Sequence, residues 1–311
     1  MTVQYVDCPD VEQILSGLKD FQRASVEYVF RRMYQDEQPA LRFLIADEVG
    51  LGKTLVARGV VAKVVDKLWH EQDSINIVYI CSNSDIAQQN VRRLRLSKDF
   101  DFRTPERITL LPQYVDNLRK NPLNFVALTP GTSFDLKNAT GRKEERVLLY
   151  WMLQRIWKFQ GAPAKNVFQV GVEPGRFRKM LSGFDVSSIS RRLLSEFRAA
   201  LRDNIQHCRE ENRMTLKVRF NHLCRQMPKR KPWPRVQPEI KAEVRSFIGE
   251  MRALLAETCI RSLSPDLIIL DEFQRFRNLL DGTDDAGEHA AKLFEWREVR
   301  VVLLSPTPYK M

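Results

Sequence analysis

The chain has 311 residues, of which 43% are hydrophobic and 29% charged, and its formal net charge is +11. That composition belongs to a globular chain with a real core, and the charge points to a polyanionic partner. It excludes a membrane-spanning protein, since no apolar run approaches the roughly 18 residues a span needs, and the scattered cysteines exclude a disulfide scaffold.

The start, MTVQYVDCPDVEQ, is acidic and polar, so it does not read as a secretory leader. Cys8, Cys81, Cys208, Cys224 and Cys259 show no C-x-x-C spacing, and a reducing cytoplasm is the expected compartment. Short aliphatic or β-branched runs then recur at Leu41–Ala46, Ile75–Cys81, Asn124–Leu128, Leu267–Leu270 and Val301–Leu304. Helical patterns separate several of them. Strand alternating with helix predicts an α/β fold, a buried parallel sheet with helices on both faces, made of residues 1–136 and 262–311. The intervening stretch 137–261 lacks such runs and reads as a mainly helical insertion. Its expected helices are Lys143–Phe159, Ser188–Arg213 and Pro238–Glu257, with Pro228–Pro234 a basic linker. Residues 137–260 hold 26 Lys and Arg against 12 Asp and Glu, a net of +14, whereas the rest of the chain nets −3.

Two segments carry chemistry. Ala46-Asp-Glu-Val-Gly-Leu-Gly-Lys-Thr54 follows a strand and precedes the predicted helix Thr54–Lys67, which is the context of a phosphate-binding loop. Gly50 and Gly52 allow a tight turn that aims N–H groups inward, and the helix start adds further donors. Lys53 is placed to reach the β- and γ-phosphates, and the Thr54 hydroxyl to take Mg²⁺. Asp47 stands where the strict pattern has Gly or Ala. The second segment is Pro265-Asp-Leu-Ile-Ile-Leu-Asp-Glu-Phe-Gln274, a buried-strand pattern ending in two acids. These fall at the carboxyl edge of the sheet, beside the phosphate loop. Asp271 is expected to hold Mg²⁺, directly or through water, and Glu272 to polarise the attacking water.

With these residues in place, the sequence resembles the superfamily 2 helicase and translocase family (DEAD/DEAH-like), most of all its Swi/Snf-type, RapA-like branch. Asp47–Thr54, including Glu48, Val49 and Leu51, is similar to motif I of that branch. Asp271-Glu272-Phe273-Gln274 resembles motif II. Phe21-Gln22, ahead of a helical stretch Arg23–Tyr34, resembles the glutamine motif that reads adenine. Ser82 and Asn83, in Ser82–Gln89, resemble motif Ia, and Thr129-Pro-Gly131 resembles motif Ib, both of which contact nucleic-acid phosphates. Ser305-Pro-Thr307 resembles motif III, which couples hydrolysis to strand contact, with Pro306 stiffening the turn. The resemblance covers about residues 15–135 and 262–311 and implies one P-loop NTPase lobe of RecA-like fold, with ATP and Mg²⁺ as cofactors. It further implies ATP hydrolysis coupled to nucleic acid, DNA ahead of RNA, and no membrane partner. The family's arginine finger lies on a second lobe, and the chain stops four residues past Thr307. The expectation is a lobe that hydrolyses ATP poorly until a second RecA-like lobe is supplied in cis or in trans. The alternative is a non-catalytic ATP- or nucleic-acid-binding fragment or adaptor from a truncated or split helicase gene.

The insertion matches no motif. Arg176, Arg178, Lys179, Arg191, Arg192, Lys229, Arg230 and Lys231 are its densest basic clusters, with Phe177 and Trp233 near enough in sequence to stack on bases. A solvated helical face or an acidic partner is the competing reading. His207-Cys208 and His222-x-Cys224 fit no standard zinc spacing and are expected to be structural. Cys81, Trp151, Trp157 and Phe159 are expected to be packing residues.

Overall fold

The structure, a computed structural model, describes residues 7–46, 51–81, 89–90, 92–96, 107–113, 121–128, 140–227, 233–272 and 299–305. The chain divides into two compact units, one of residues 1–107, 116–132 and 263–311 and one of residues 108–115 and 133–262.

The first unit is built on a five-stranded sheet, every pairing of which is parallel. Its strands are β1 (Arg42–Ala46), β2 (Ile75–Ile80), β3 (Leu123–Leu128), β4 (Leu267–Asp271) and β5 (Arg300–Ser305), in spatial order β1-β5-β4-β2-β3. All five fall where the aliphatic runs predict them. The central strands are buried almost throughout, with Ile268, Ile269, Val301 and Val302 at 0–1% exposure. A strand covered on both faces selects an unbroken apolar run over alternation, which is why it reads clearly in sequence.

The helices of this unit whose full bounds are described are α1 (Val11–Ser16), α2 (Asp20–Tyr34) and α3 (Lys53–Leu68), and residues 89–90 and 92–94 are also helical. Asp10 caps α1 by accepting from Gln13 N at 3.0 Å. Along α3, Val56, Val60, Val61, Val64 and Val65 are fully buried, against a core that includes Val26 and Val29 of α2. Gly59 permits this close approach. A Cβ there would lie 2.6 Å from Val26 Cγ2 and 3.2 Å from Leu18 Cδ1. At the far end of α2, the Arg300 guanidinium donates to Met33 O at 2.7 Å and lies 4.1 Å above the Tyr34 ring, tying the start of β5 to the helix.

One expectation is corrected here. Phe21 and Gln22 do not precede the helix. They lie in its first turn, because Gln22 is the third helical residue and its Oε1 reaches back to accept from Lys19 N at 3.0 Å.

The second unit is helical: α4 (Lys143–Trp157), α5 (Ala162–Gln169), α6 (Pro174–Ser182), α7 (Arg191–Glu210), α8 (Leu216–Gln226) and nearly all of α9 (Pro238–Leu263). Glu173, Ser190 and Thr215 each cap the helix that follows. The core is aromatic: Trp157, Phe159, Phe168 and Phe247 all meet the Phe220 ring, with centroids 4.9–6.0 Å apart. Trp151 also packs, its indole N–H donating to Leu181 O at 3.2 Å.

At the polar centre of this unit Glu145 and Arg252, each 1% exposed, form an ion pair at 3.0 Å. The carboxylate is fully dressed, taking bonds also from Thr109 Oγ1 at 2.6 Å and from Arg142 N at 2.6 Å. Thr109 sits in the 3-10 turn Ile108–Gln113, and the pairing helps explain why residues 108–115 belong with the helices. Gly141, at φ +62°, crosses directly over the pair: a Cβ there would lie 2.3 Å from Arg252 Nε. Beside it Arg146, 5% exposed, donates to Gly141 O at 2.9 Å and Thr140 O at 3.2 Å. Burial pulls its guanidinium down to about 10, against the upward pull of Glu145 and Glu144, so it stays charged at neutral pH.

Candidate functional site

The sheet's carboxyl edge gathers the ends of all five strands. Register pairs Ala46 with Ser305, Asp271 with Leu304, and Ile80 with Leu270. β5 therefore lies between β1, which leads toward Gly52 and α3, and β4, which ends in the acids. Two strand spacings separate β1 from β4, about 10 Å.

On the β1 side, residues 47–52 link the strand to α3. Gly52 is the residue before the helix, in the left-handed region at φ 87° and ψ 35°. Its carbonyl accepts from Leu55 N at 2.7 Å and Val56 N at 3.1 Å, so the helix begins directly at Lys53. The amides of Lys53 and Thr54 thus head α3, at the end where a helix cannot satisfy its own donors and attracts anions. Gln22 backs this turn. It is 4% exposed, and its Nε2 donates to Leu51 O at 2.9 Å. A Cβ on Gly52 would stand 2.5 Å from that same nitrogen. Glycine is therefore favoured here for its φ, and a side chain would also have to displace the Gln22 amide. Phe21, the neighbour of Gln22, is 46% exposed.

On the β4 side the Asp271 carboxylate is held at both oxygens. Oδ1 accepts from Glu272 N at 2.9 Å. Oδ2 accepts from the Tyr79 hydroxyl and from Asn90 Nδ2 at 3.1 Å. Asn90 Nδ2 also lies 2.9 Å from the Tyr79 oxygen. Register explains the reach: Tyr79 pairs with Ile269, and Asp271 is two residues further along β4 on the same face. Burial first, and the Asp271 charge second, push the Tyr79 phenol far above its ordinary value, so it remains a donor. Glu272 turns the chain out of the strand at φ 54°, a conformation a non-glycine residue adopts at a cost. Between the two sides, Ser305 ends β5 at 2% exposure.

The first unit therefore brings Gln22, Gly52, Lys53 and Thr54 to one sheet edge with Asp271, Glu272 and Ser305. Tyr79 and Asn90 are functional candidates that sequence reading missed. Tyr79 sits inside an apolar strand and reads as core until the register is known. Glu48, Val49, Gly50, Ser82, Asn83, Thr129, Gly131 and Thr307 lie outside the described residues, as do Gln274 and Pro306. The donors available for a metal at this edge are oxygens, the Thr54 hydroxyl and the Asp271 carboxylate. That is the ligand type Mg²⁺ takes, usually with water and substrate phosphate completing its shell.

In the second unit, Arg176, Arg178, Lys179, Arg191 and Arg192 are exposed. Arg192 also pairs with Glu196 at 2.5 Å. Phe177 is corrected: at 1% exposure it is core, on the inner face of α6, and cannot stack on a base. Residues 228–232, with Lys229, Arg230 and Lys231, lie outside the described residues, and Trp233 opens a short 3-10 turn. Cys208 is buried whereas His207 and His222 are exposed, paired with Glu211 at 3.2 Å and Glu243 at 3.6 Å. Among the described residues no group of three or more His, Cys, Asp or Glu could hold a metal ion. Cys81 is fully buried just past the end of β2. No helix among the described residues is long and apolar enough to cross a membrane.

The chain matches no protein-family model, no curated protein and no solved structure.

Proposed function

We propose that the first unit is a RecA-like, ATP-binding P-loop lobe of a superfamily 2 nucleic-acid helicase or translocase, Swi/Snf-type in its motifs. One observation carries the reading: a left-handed Gly52 turn heading α3 lies at the same sheet edge as Asp271-Glu272, with β5 and Ser305 between them. A phosphate cradle and a pair of carboxylates set about 10 Å apart are what phosphoryl transfer to water needs, since the reaction is mainly positioning and charge stabilisation.

In this reading the amides of Lys53 and Thr54 bind phosphate oxygens, and the Lys53 ammonium neutralises the outer phosphates. Mg²⁺, when bound by Thr54 and Asp271, supplies further neutralisation of charge on the phosphates. Glu272 orients the attacking water and takes its proton. Gln22 holds the loop from behind, and its amide has a further donor and a further acceptor position with which to read a base edge, beside the exposed Phe21. Ser305 lies where a change at one side of the cleft reaches the other. Nucleic acid, DNA ahead of RNA, is the proposed partner, supported by the exposed arginines and lysines of the second unit. A second RecA-like lobe, in cis or in trans, is the proposed source of the arginine that lifts turnover. Such a residue is worth on the order of 10³–10⁵ in rate elsewhere.

The test is ATP binding and DNA-stimulated hydrolysis. Lys53→Ala is expected to weaken binding of a fluorescent ATP analogue by about 10-fold or more, the loss of roughly 1.4 kcal/mol of charge-assisted bonding. Glu272→Gln is expected to retain binding and to abolish any turnover that DNA and a second lobe elicit. Unchanged binding in Lys53→Ala would show that the loop is not a phosphate site. Binding without turnover under every condition, in wild type as in Glu272→Gln, would favour the non-catalytic adaptor instead.

A further inference from the structure

The Asp271 carboxylate is more tightly governed than an acid at a strand end needs to be. Tyr79 is 0% exposed and Asn90 8%, and both donate to the same carboxylate oxygen. Asn90 Nδ2 also donates to the Tyr79 oxygen, so the phenol proton is committed to Asp271 Oδ2. Oδ1 takes the Glu272 amide at 2.9 Å. Three donors from three points of the first unit (strand β2, residue 90 and the turn after β4) fix the plane of the carboxylate. Rotation about its last side-chain bond breaks at least one of them.

We propose that Tyr79 and Asn90 are positioning residues that hold Asp271 in the orientation from which it takes Mg²⁺. This rests on the reading of Asp271 as a metal-holding residue. The physical ground is that metal sites depend on the partners that orient their ligands nearly as much as on the ligands themselves. A carboxylate already locked in one rotamer loses no orientational freedom when the metal arrives.

The experiment uses the full chain with ADP and Mn²⁺, a paramagnetic substitute for Mg²⁺ whose binding is read by electron paramagnetic resonance. Tyr79→Phe keeps the ring and removes only the hydroxyl, and Asn90→Ala removes the second donor. Each is expected to weaken Mn²⁺ binding in the ADP complex on the order of 10-fold. ADP affinity measured in EDTA should be unchanged in both, since neither residue belongs to the 46–54 segment proposed to bind phosphate. If Tyr79→Phe lowers the melting temperature but leaves Mn²⁺ affinity at the wild-type value, the network is packing alone and the proposal fails. Asp271→Asn separates the two levels. Wild-type Mn²⁺ affinity in that variant would overturn the metal-holding reading of Asp271, and the positioning role with it. Loss in Asp271→Asn without loss in Tyr79→Phe or Asn90→Ala would overturn the positioning role only.

Discussion

Gly52 shows how much of the candidate site depends on single atoms. Its φ of 87° costs any other residue about 1–2 kcal/mol, and an added methyl would meet Gln22 Nε2 at 2.5 Å. Gly52→Ala should therefore lower the melting temperature and weaken nucleotide binding together. Adding Gln22→Ala should relieve the clash but not the backbone strain, restoring only part of the loss. A thermal melt and a binding titration on the single and double variants check both. If Gly52→Ala melts like the wild type, the left-handed turn is not as described. The glycine, Lys53 and the acids at 271 and 272 were legible from residue type and spacing alone. Tyr79 and Asn90 were not. An Ile-Val-Tyr-Ile run reads as core, and core it is. Only the β2–β4 register places the phenol opposite an acid 192 positions away. Gln22 was legible as a residue of interest, but its grip on the loop was not, because helix α2 starts before it rather than after it.

At the level of elements, the strands were clear because parallel strands buried on both faces leave no polar residues to blur the pattern. The predicted Lys143–Phe159, Ser188–Arg213 and Pro238–Glu257 correspond to α4, α7 and α9. The last runs six residues longer because its apolar face continues through Cys259, Ile260 and Leu263. What no periodicity could signal is the Glu145–Arg252 pair, whose partners stand 107 positions apart on α4 and α9. Buried pairs of this kind add little net stability when whole but cost about 3–5 kcal/mol when one partner is removed. Glu145→Gln should destabilise the second unit by that amount, since Arg252 keeps its charge and loses its counter-ion. The double replacement Glu145→Leu with Arg252→Met should cost less than the single one. Urea denaturation followed by tryptophan fluorescence measures both. Equal losses would mean that the charges are incidental to the packing.

At the level of the whole molecule, the excess charge is confined to residues 137–260, a net of +14 opposed by −3 elsewhere. The exposed residues Arg176, Arg178 and Lys179 are clustered on or beside one helix turn of α6. If this unit meets a nucleic-acid backbone, affinity must fall steeply with salt, since each phosphate neutralised releases a bound counter-ion. Replacing Arg176, Arg178 and Lys179 with alanine should flatten the slope of log affinity against log salt by about 1 for each phosphate left without its cation. A wild-type slope near zero, or a triple variant with the wild-type slope, would assign the charge to solvation or to a protein partner instead.

The strand order also dictates a sequence of events during synthesis. Among the described residues β1 pairs with β5 alone, and β5 is followed by β4 toward the middle of the sheet. When residues 1–128 have left the ribosome, β2 and β3 can pair, but β1 has no described neighbour, and the two central strands do not yet exist. The helical stretch between 133 and 262 is made next, before either of them. Its helices rest on local contacts and can form early, whereas β2 must wait across residues 81–266 for β4. The candidate site is thus the last part of the sheet edge to assemble. Strand β1 lacks its described partner until about residue 305, a window in which a growing chain is exposed to mispairing.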